Sequence, residues 1–138
     1  IAFTYINIET EQINVQVNTS LEEIRKLVNA DRAYVFEYDF INDECSNTYE
    51  WCAEGISKEI DNLQKFPLSN VPFWVSQHKK AQPFYIPDTS LLPDDGPNGL
   101  KEILVSQFIQ SLITVPMIYQ GELLGFVGFD SVKQKKIL

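Results

Sequence analysis

The sequence is poor in the residues that build metal centres and disulfide frameworks, with one histidine and two cysteines among 138 residues. A metal site needs several convergent ligands, and no cluster of His and Cys is present in the sequence. Cys45 and Cys52 are seven positions apart. This odd spacing predicts opposite faces of one strand and a separation of roughly 20 Å or more. We therefore expect free thiols and a reducing, cytoplasmic location.

Positive charge and long apolar runs are also scarce. Eleven Lys and Arg stand against nineteen Asp and Glu, which gives a net charge of -8 and a pI of about 4.5. Nucleic acids and anionic membranes need a cationic footprint, so neither is an expected partner. No apolar run approaches the roughly 18 residues that cross a bilayer, and the sequence shows no signal peptide or lipidation motif.

The length of 138 residues corresponds to one domain, and a domain of this size needs no disulfide or metal for stability. The chain begins at Ile1 rather than Met and ends at the apolar Leu138. We therefore expect it to be a piece of a longer, multidomain polypeptide.

Hydrophobic periodicity predicts an α+β domain with the order helix, β, β, helix, β, helix, β, β. Capping boxes at Thr19 and Ser20 predict the start of the first helix, and Asn70 is the expected cap of the second. The predicted helices cover residues 20–29, residues 72–80 and about eleven residues from Leu100. The predicted strands cover residues 32–39, 45–53 and 83–87 and two runs that flank Gln120-Gly121.

The final two runs, LITVPMIYQGELLGFVGFDS from Leu112 to Ser131, are predicted to form an antiparallel hairpin. Gly125 and Gly128 lie within a strand-like run and not in a turn before a helix. They are therefore interpreted as points of close backbone approach and not as a phosphate-binding loop. Pro116 cannot donate a ladder hydrogen bond, which predicts a bulge or an unpaired position.

This hairpin, with the preceding LKEILVSQFIQSL, resembles the end of GAF domains. The resemblance extends through NADRAYVFEYD, SNTYEWCAEGI and PFYIPD, covers about residues 10–132, and is most specific over NTYEWCAEGISKEIDNLQ. That stretch is similar to bacterial GAF modules found beside histidine kinases and diguanylate cyclases. The resemblance implies a single GAF domain over residues 1–138. It also implies a central antiparallel sheet of five to six strands, with terminal helices on one face and short helices and loops on the other.

A sensory, non-catalytic module of a signal-transduction protein is the function that this resemblance implies. Its expected partners are an unidentified small molecule and an output domain in the same polypeptide, and no cofactor is predicted. Four aromatic residues are the candidate lining of a pocket between the second strand and the helix over residues 72–80, although they could equally be core. These residues are Trp51, Phe73, Trp74 and Tyr85.

An apolar stripe that begins at Ile6 and runs to Val28 suggests a homodimer formed through terminal helices. In such a module the ligand would bias the packing of the loops over the sheet, and the terminal helices would transmit that bias. One alternative is a ligand-free dimerisation or spacer module whose own aromatic side chains fill the cavity. Another is a thiol-dependent enzyme that reduces methionine sulfoxide, which the predicted separation of the cysteines disfavours.

Other candidate chemistry has weaker support. His78, beside Lys79-Lys80, is interpreted as a solvated helix-end residue in preference to a haem ligand or proton shuttle. The acidic residues around the second strand are interpreted as a solvated loop and not as an acid–base pair. These acidic residues are Glu50, Glu54, Glu59 and Asp61.

Two ligand types known in GAF domains do not match these residues. Bilin-binding members attach the pigment to a cysteine that is commonly followed by His, whereas Ser46 follows Cys45 and Ala53 follows Cys52. Cyclic-nucleotide-binding members carry an Asn-Lys…Asp-Glu pattern. That pattern is not formed by Asn98 and Lys101-Glu102, so binding of a cyclic nucleotide is unsupported.

Overall fold

A computed structural model describes residues 6–7, 29–94, 96 and 99–132. The strands are β1 (Ile6–Asn7), β2 (Arg32–Asp39), β3 (Glu44–Cys52), β4 (Phe66–Pro67), β5 (Phe84–Ile86), β6 (Ser111–Tyr119) and β7 (Glu122–Ser131). The helices are α1 (Pro72–Lys79) and α2 (Leu100–Ser106), with 3-10 turns at Ile60–Asn62, Leu68–Asn70 and Thr89–Leu91. The predicted α+β class is confirmed. The helix predicted over residues 20–29 lies outside the described residues, except for Asn29.

The strands form one sheet in the order β1-β6-β7-β2-β3-β4, and β5 also pairs with β6. Every pairing is antiparallel except that between β1 and β6. The predicted antiparallel sheet is therefore confirmed, and two-residue strands at β1 and β4 bring the described sheet to seven strands. No helix in the described ranges is long and apolar enough to cross a bilayer.

The two faces of the sheet carry separate apolar clusters because successive strand residues point to opposite sides. Tyr34 and Phe36 of β2 pack with α1 and α2 in the larger cluster, together with Phe126 of β7. Ala33 and Val35 face the other way, in a smaller cluster that includes Phe129. The short helices therefore cover one face, as predicted. The terminal helices predicted for the other face lie outside the described residues, except that Ile6, the first residue of the predicted apolar stripe, lies in β1 and not in a helix.

The glycines of β7 lie where the sheet leaves no room for a side chain. A Cβ built on Gly125 would be 1.9 Å from the backbone oxygen of Phe36, and one on Gly128 would be 2.1 Å from the ring of Tyr34. The predicted close approach is thus confirmed. The register of β6 and β7 shifts just after Met117, so the irregularity predicted at Pro116 lies one residue later.

Both described helices end earlier than predicted, α1 at Lys79 and α2 at Ser106, and the predicted cap of α1 also differs. Val71, and not Asn70, is the residue before α1, and no side chain caps this end. Pro72 is the first helical residue, where its missing N–H removes no helical hydrogen bond. α2 has seven residues and not about eleven.

The chain leaves α2 through a Schellman motif, which explains the short helix. The Phe108 N–H bonds to the Val105 carbonyl, and the Ile109 N–H reaches back to the Leu104 carbonyl. Phe108, which the helix predicted over about eleven residues from Leu100 would include, has a φ of 61° and is 71% exposed, so it lies beyond the helix. Ile109 is buried in the core after the turn.

A β-bulge in β3 overturns the prediction that the cysteines lie on opposite faces. Tyr49 lies across from Val35 while Asn47 lies across from Phe36, so Thr48 is an extra residue that changes the alternation. Cys45 and Cys52 consequently share the face of their β2 partners. They remain free thiols, separated by roughly 20 Å along one strand.

Candidate functional site

A cavity of about 60 Å³ lies between the sheet and the two helices. This volume has room for a few water molecules and is well below the 300–1,000 Å³ of sites for drug-sized ligands. Residues of β2, β3 and β7 form its floor: Arg32, Tyr34, Phe36, Tyr38, Cys45, Asn47, Glu50, Phe126 and Asp130. The strand β4, the helices and the loops supply the remaining lining: Glu59, Leu63, Phe66, Val71, Trp74, Leu100, Ile103, Leu104, Gln107 and Ile109.

Strand alternation and the bulge together determine which side chains reach the cavity. The even-numbered residues of β2 from Arg32 to Tyr38 point into it. In β3, Cys45 and Asn47 point the same way before the bulge, and Glu50 does so after it. Without the extra residue, Glu50 and Asn47 could not line the same cavity.

Aromatic rings form much of the apolar wall. Phe36 stacks on Phe126 with 4.9 Å between ring centroids and an interplanar angle of 6°. Trp74 meets Phe126 edge-on at 5.3 Å, which joins α1 to the floor of the cavity. This packing supplies flat, rigid surfaces, as small-molecule sites generally require.

A buried ion pair lies at one end of the cavity. Arg32 Nη1 is 3.4 Å from Asp130 Oδ2, and both side chains are almost fully buried. Burial raises the pKa of Asp130 to about 7, against the opposing effect of the Arg32 guanidinium; Asp31 and Glu50 raise it further. Ionised Asp130 is therefore costly here, even with its cationic partner.

Four buried polar atoms of the described structure have no hydrogen-bond partner, and all four belong to residues that line this cavity. Two are donors, Arg32 Nε and Trp74 Nε1, and two are acceptors, Asn47 Oδ1 and Asp130 Oδ1. Buried polar groups in folded proteins are nearly always paired, and each unpaired one costs about 1–3 kcal/mol. The residues that line the cavity therefore carry two unpaired donors and two unpaired acceptors.

Glu50 organises the loop beside the cavity. Its carboxylate accepts hydrogen bonds from the backbone N–H of Glu59 at 2.9 Å and of Ile60 at 3.3 Å. The interpretation of the acidic group as a solvated loop is thus wrong for Glu50, because the bulge turns this side chain inward. Glu54 and Asp61 are exposed, as that interpretation expects.

His78 is fully buried, so its interpretation as a solvated helix-end residue is wrong. Its Nδ1 is hydrogen-bonded to the Tyr38 hydroxyl, and its Nε2 lies 2.8 Å from Thr114 Oγ1. Burial lowers the pKa of His78 to about 3, so the ring is neutral at physiological pH. The i, i+4 spacing from Trp74 places both rings on the inner face of α1, and that spacing is the signal that could have identified it.

Replacing His78 by Gln should change the pH dependence of stability. The folded-state pKa of about 3 lies below the unfolded value of about 6.5, so neutral His78 stabilises the fold fully above pH 6.5. This contribution falls by about 1.4 kcal/mol per pH unit as the pH decreases from there towards 3. The difference in unfolding free energy between wild type and His78→Gln should therefore decrease by about 1.4 kcal/mol for each pH unit below about 6.5. Urea unfolding from pH 7.5 to 5 measures this decrease.

Tyr38→Phe is the matched control because it removes the hydroxyl partner and keeps the imidazole. This variant should retain the wild-type dependence on pH. Parallel stability curves for wild type and His78→Gln would contradict the assignment of a buried neutral histidine.

The structure separates the four aromatic residues predicted to line the pocket. Trp74 lines the cavity. Trp51 packs against the smaller cluster on the opposite face, while Phe73 and Tyr85 are 62% and 38% exposed. Sequence reasoning missed Arg32, Asn47 and Asp130. The alternation of Arg32 with the tyrosines and phenylalanine of β2 was the available signal for the first of them.

The cysteines do not have the properties of a catalytic pair. Burial raises the pKa of Cys45 to about 12, and burial also raises the pKa of Cys52. Both therefore hold thiols at neutral pH, and the thiolate is the reactive species. The described residues contain no group of three or more His, Cys, Asp or Glu side chains that could hold a metal ion.

The fold is an α+β domain with a small cavity between an antiparallel sheet and short helices. The sequence profile of the GAF domain family matches residues 13–136, and the chain belongs to this family. Over 139 residues it is 30% identical to the methanogenesis regulatory histidine kinase FilI of Methanothrix harundinacea (strain 6Ac), with 95% of this chain covered. The chain spans only 14% of that kinase.

Solved structures of GAF domains share this fold. The photoproduct state of GAF3 from Slr1393 of Synechocystis sp. PCC6803 superposes with a TM-score of 0.73 at 16% identity, covering 92% of this chain and 81% of that one. The blue-light-absorbing form of the PixJ GAF domain of Thermosynechococcus elongatus superposes with a TM-score of 0.71 at 17% identity, covering 94% of this chain and 78% of that one. At these identities the likeness concerns the fold alone.

Proposed function

We propose that this domain is a non-catalytic sensory module that binds a small molecule in the cavity beneath α1 and α2. The observation that carries the proposal is that four buried polar atoms without a hydrogen-bond partner all belong to residues that line one cavity. A domain that only spaces its neighbours gains nothing from such atoms, because each lowers its stability. A ligand that pairs with them would stabilise the state to which it binds.

The output of this module is proposed to be a further domain of the same polypeptide in the cytoplasm. Support comes from the related histidine kinase, of which this chain covers only a small part. Transmission through terminal helices and homodimerisation by them are part of the proposal and concern segments outside the described residues.

The described contacts give the ligand one route to the N-terminal segment. Trp74, on α1, lines the cavity, and His78, one turn later, is bonded to Thr114 of β6. Residues Met117 and Ile118 of the same strand pair with β1. A ligand that displaces α1 would therefore also shift β6, the strand that pairs with β1 in the N-terminal segment.

A thermal-shift screen against metabolites tests the proposal when it includes a variant with a filled cavity. Leu104→Phe adds bulk on the buried side of α2, and Val105→Phe adds the same ring on its exposed side. A ligand at a hundred times its dissociation constant stabilises the folded state by about 2.7 kcal/mol. We expect this stabilisation in wild type and Val105→Phe and its loss in Leu104→Phe.

A spacer module is the second candidate, and the small cavity volume favours it. It predicts that no metabolite stabilises the wild type and that Leu104→Phe alone raises the unfolding temperature by filling empty space. If both results were observed, the spacer function would replace the sensory one.

A further inference from the structure

The charges around the cavity restrict what it can bind, and this inference rests on the sensory function proposed above. Among the described residues that line the cavity, Arg32 is the only Lys or Arg, whereas Glu50, Glu59 and Asp130 are acidic. In a buried site of low dielectric constant, this excess of carboxylates repels anions strongly. Phosphorylated ligands and dicarboxylates therefore do not fit the lining.

The unpartnered atoms comprise one donor and one acceptor on the Arg32–Asp130 ion pair, and one donor and one acceptor on Trp74 and Asn47. Arg32 and Asp130 are register partners on β2 and β7, and they leave Nε–H and Oδ1 free. Asn47 is the register partner of Phe36, whose ring stacks on Phe126, and the Trp74 ring contacts Phe126. Asn47 and Trp74, which carry the free Oδ1 and Nε1–H, therefore both lie next to the Phe36–Phe126 stack.

An amide group, with one C=O and one N–H, is the simplest complement to such a pair. A zwitterion could also satisfy the four atoms, but burial of its full charges among aromatic rings costs far more than burial of a neutral amide. The flat walls of Phe36, Phe126 and Trp74 favour a planar compound over a bulky one. The volume of about 60 Å³ is below the roughly 150 Å³ of a cavity that holds a benzene ring, so a single ring or a small bicycle would require the cavity to widen.

We propose that the cavity binds an uncharged planar compound with amide-type groups, such as a cyclic amide, a ureide or an unphosphorylated nucleobase, through the free polar atoms of Arg32, Asp130, Asn47 and Trp74. Binding pairs the buried donors and acceptors and involves no covalent step. Since even a single ring needs more space than the cavity provides, α2 and the adjoining Gln107 would move outward on binding. That movement is the change that an output domain could detect.

Isothermal titration calorimetry with uracil and hypoxanthine tests this inference. Uridine 5′-monophosphate carries the uracil ring with a phosphate, and toluene is planar but has no polar group. We expect the two nucleobases to bind and the other two compounds not to bind. Trp74→Phe removes one donor and should weaken nucleobase binding about tenfold, the usual effect of one lost hydrogen bond.

Trp51→Phe is the matched control, because Trp51 lies on the opposite face of the sheet. It should bind the nucleobases as wild type does. Asn47→Leu is a second variant, which removes an unpartnered acceptor; it should weaken binding without lowering the unfolding temperature of the free domain.

Three results would overturn the inference. Equal loss of binding in Trp51→Phe and Trp74→Phe would show that the cavity is not the site. Preference for toluene or the nucleotide, with sensitivity to Trp74→Phe, would assign another ligand class and leave the sensory function standing. Absence of binding by all four compounds would exclude amide-type ligands, and the metabolite screen with Leu104→Phe then decides the sensory function separately.

Discussion

Gly125→Ala is expected to destabilise the domain by more than about 4 kcal/mol, or to prevent folding. The added methyl group would be 1.9 Å from the backbone oxygen of Phe36, and neither backbone can move without breaking the pairing of β2 with β7. Gly128→Ala should cost less, since its methyl group meets the side chain of Tyr34 and not the backbone. Urea unfolding followed by circular dichroism measures both losses.

Gly55→Ala is the control for a glycine that has space around it. A Cβ at Gly55 meets no atom within 4 Å, but its φ of 82° is strained for other residues. Gly55→Ala should therefore lower the free energy of unfolding by about 1 kcal/mol. If Gly125→Ala lost no more stability than Gly55→Ala, the close approach of β7 to β2 would be incorrect.

Arg32→Leu is the second substitution for which we expect a large effect, and the effect should depend on pH. Asp130 would lose its cationic partner while buried, a change that typically costs about 3–5 kcal/mol when the carboxylate is ionised. The folded pKa of Asp130, about 7, lies above its unfolded value of about 3.9. Asp130 therefore favours the folded state most below pH 4, and this contribution is lost as the pH rises from 4 through 7.

Removal of Arg32 raises the folded pKa of Asp130 further, because the guanidinium lowers it in wild type. The loss of stability in Arg32→Leu should consequently be large at pH 8 and clearly smaller at pH 5, where Asp130 is protonated in both proteins. Urea unfolding at the two pH values measures this difference. An equal loss at both would mean that packing of the Arg32 stem, and not its charge, is what the fold requires.

Local sequence signals were sufficient to predict most strands and the role of the glycines. The bounds of β2 were predicted as observed, and those of β3 differ by one residue at each end. The positions of Gly125 and Gly128 inside a strand-like run were enough to predict close packing. These features depend on neighbouring residues, so a single sequence contains them.

The cavity and its polar groups depend on contacts between distant segments, which the sequence does not display. The bulge at Thr48 arises from the pairing of β2 with β3, and it decides that Glu50 and Cys52 point towards the cavity side. His78 is buried because α1 packs on the sheet, although two lysines follow it. The pairing of Arg32 with Asp130 spans 98 positions and follows from the register of β2 and β7.

The claim that the cavity is a ligand site is tested most directly by the indole N–H signals of the chain's two tryptophans in a ¹⁵N-correlated NMR spectrum. Trp74 lines the cavity with an unpartnered Nε1–H, and Trp51 lies on the opposite face of the sheet. Titration with a ligand from the metabolite screen should shift the Trp74 signal, in the direction expected for a new hydrogen bond, and leave that of Trp51 in place. A shift of the Trp51 signal alone would contradict the account. The absence of a shift in both signals, with a ligand that stabilises the domain, would contradict it as well.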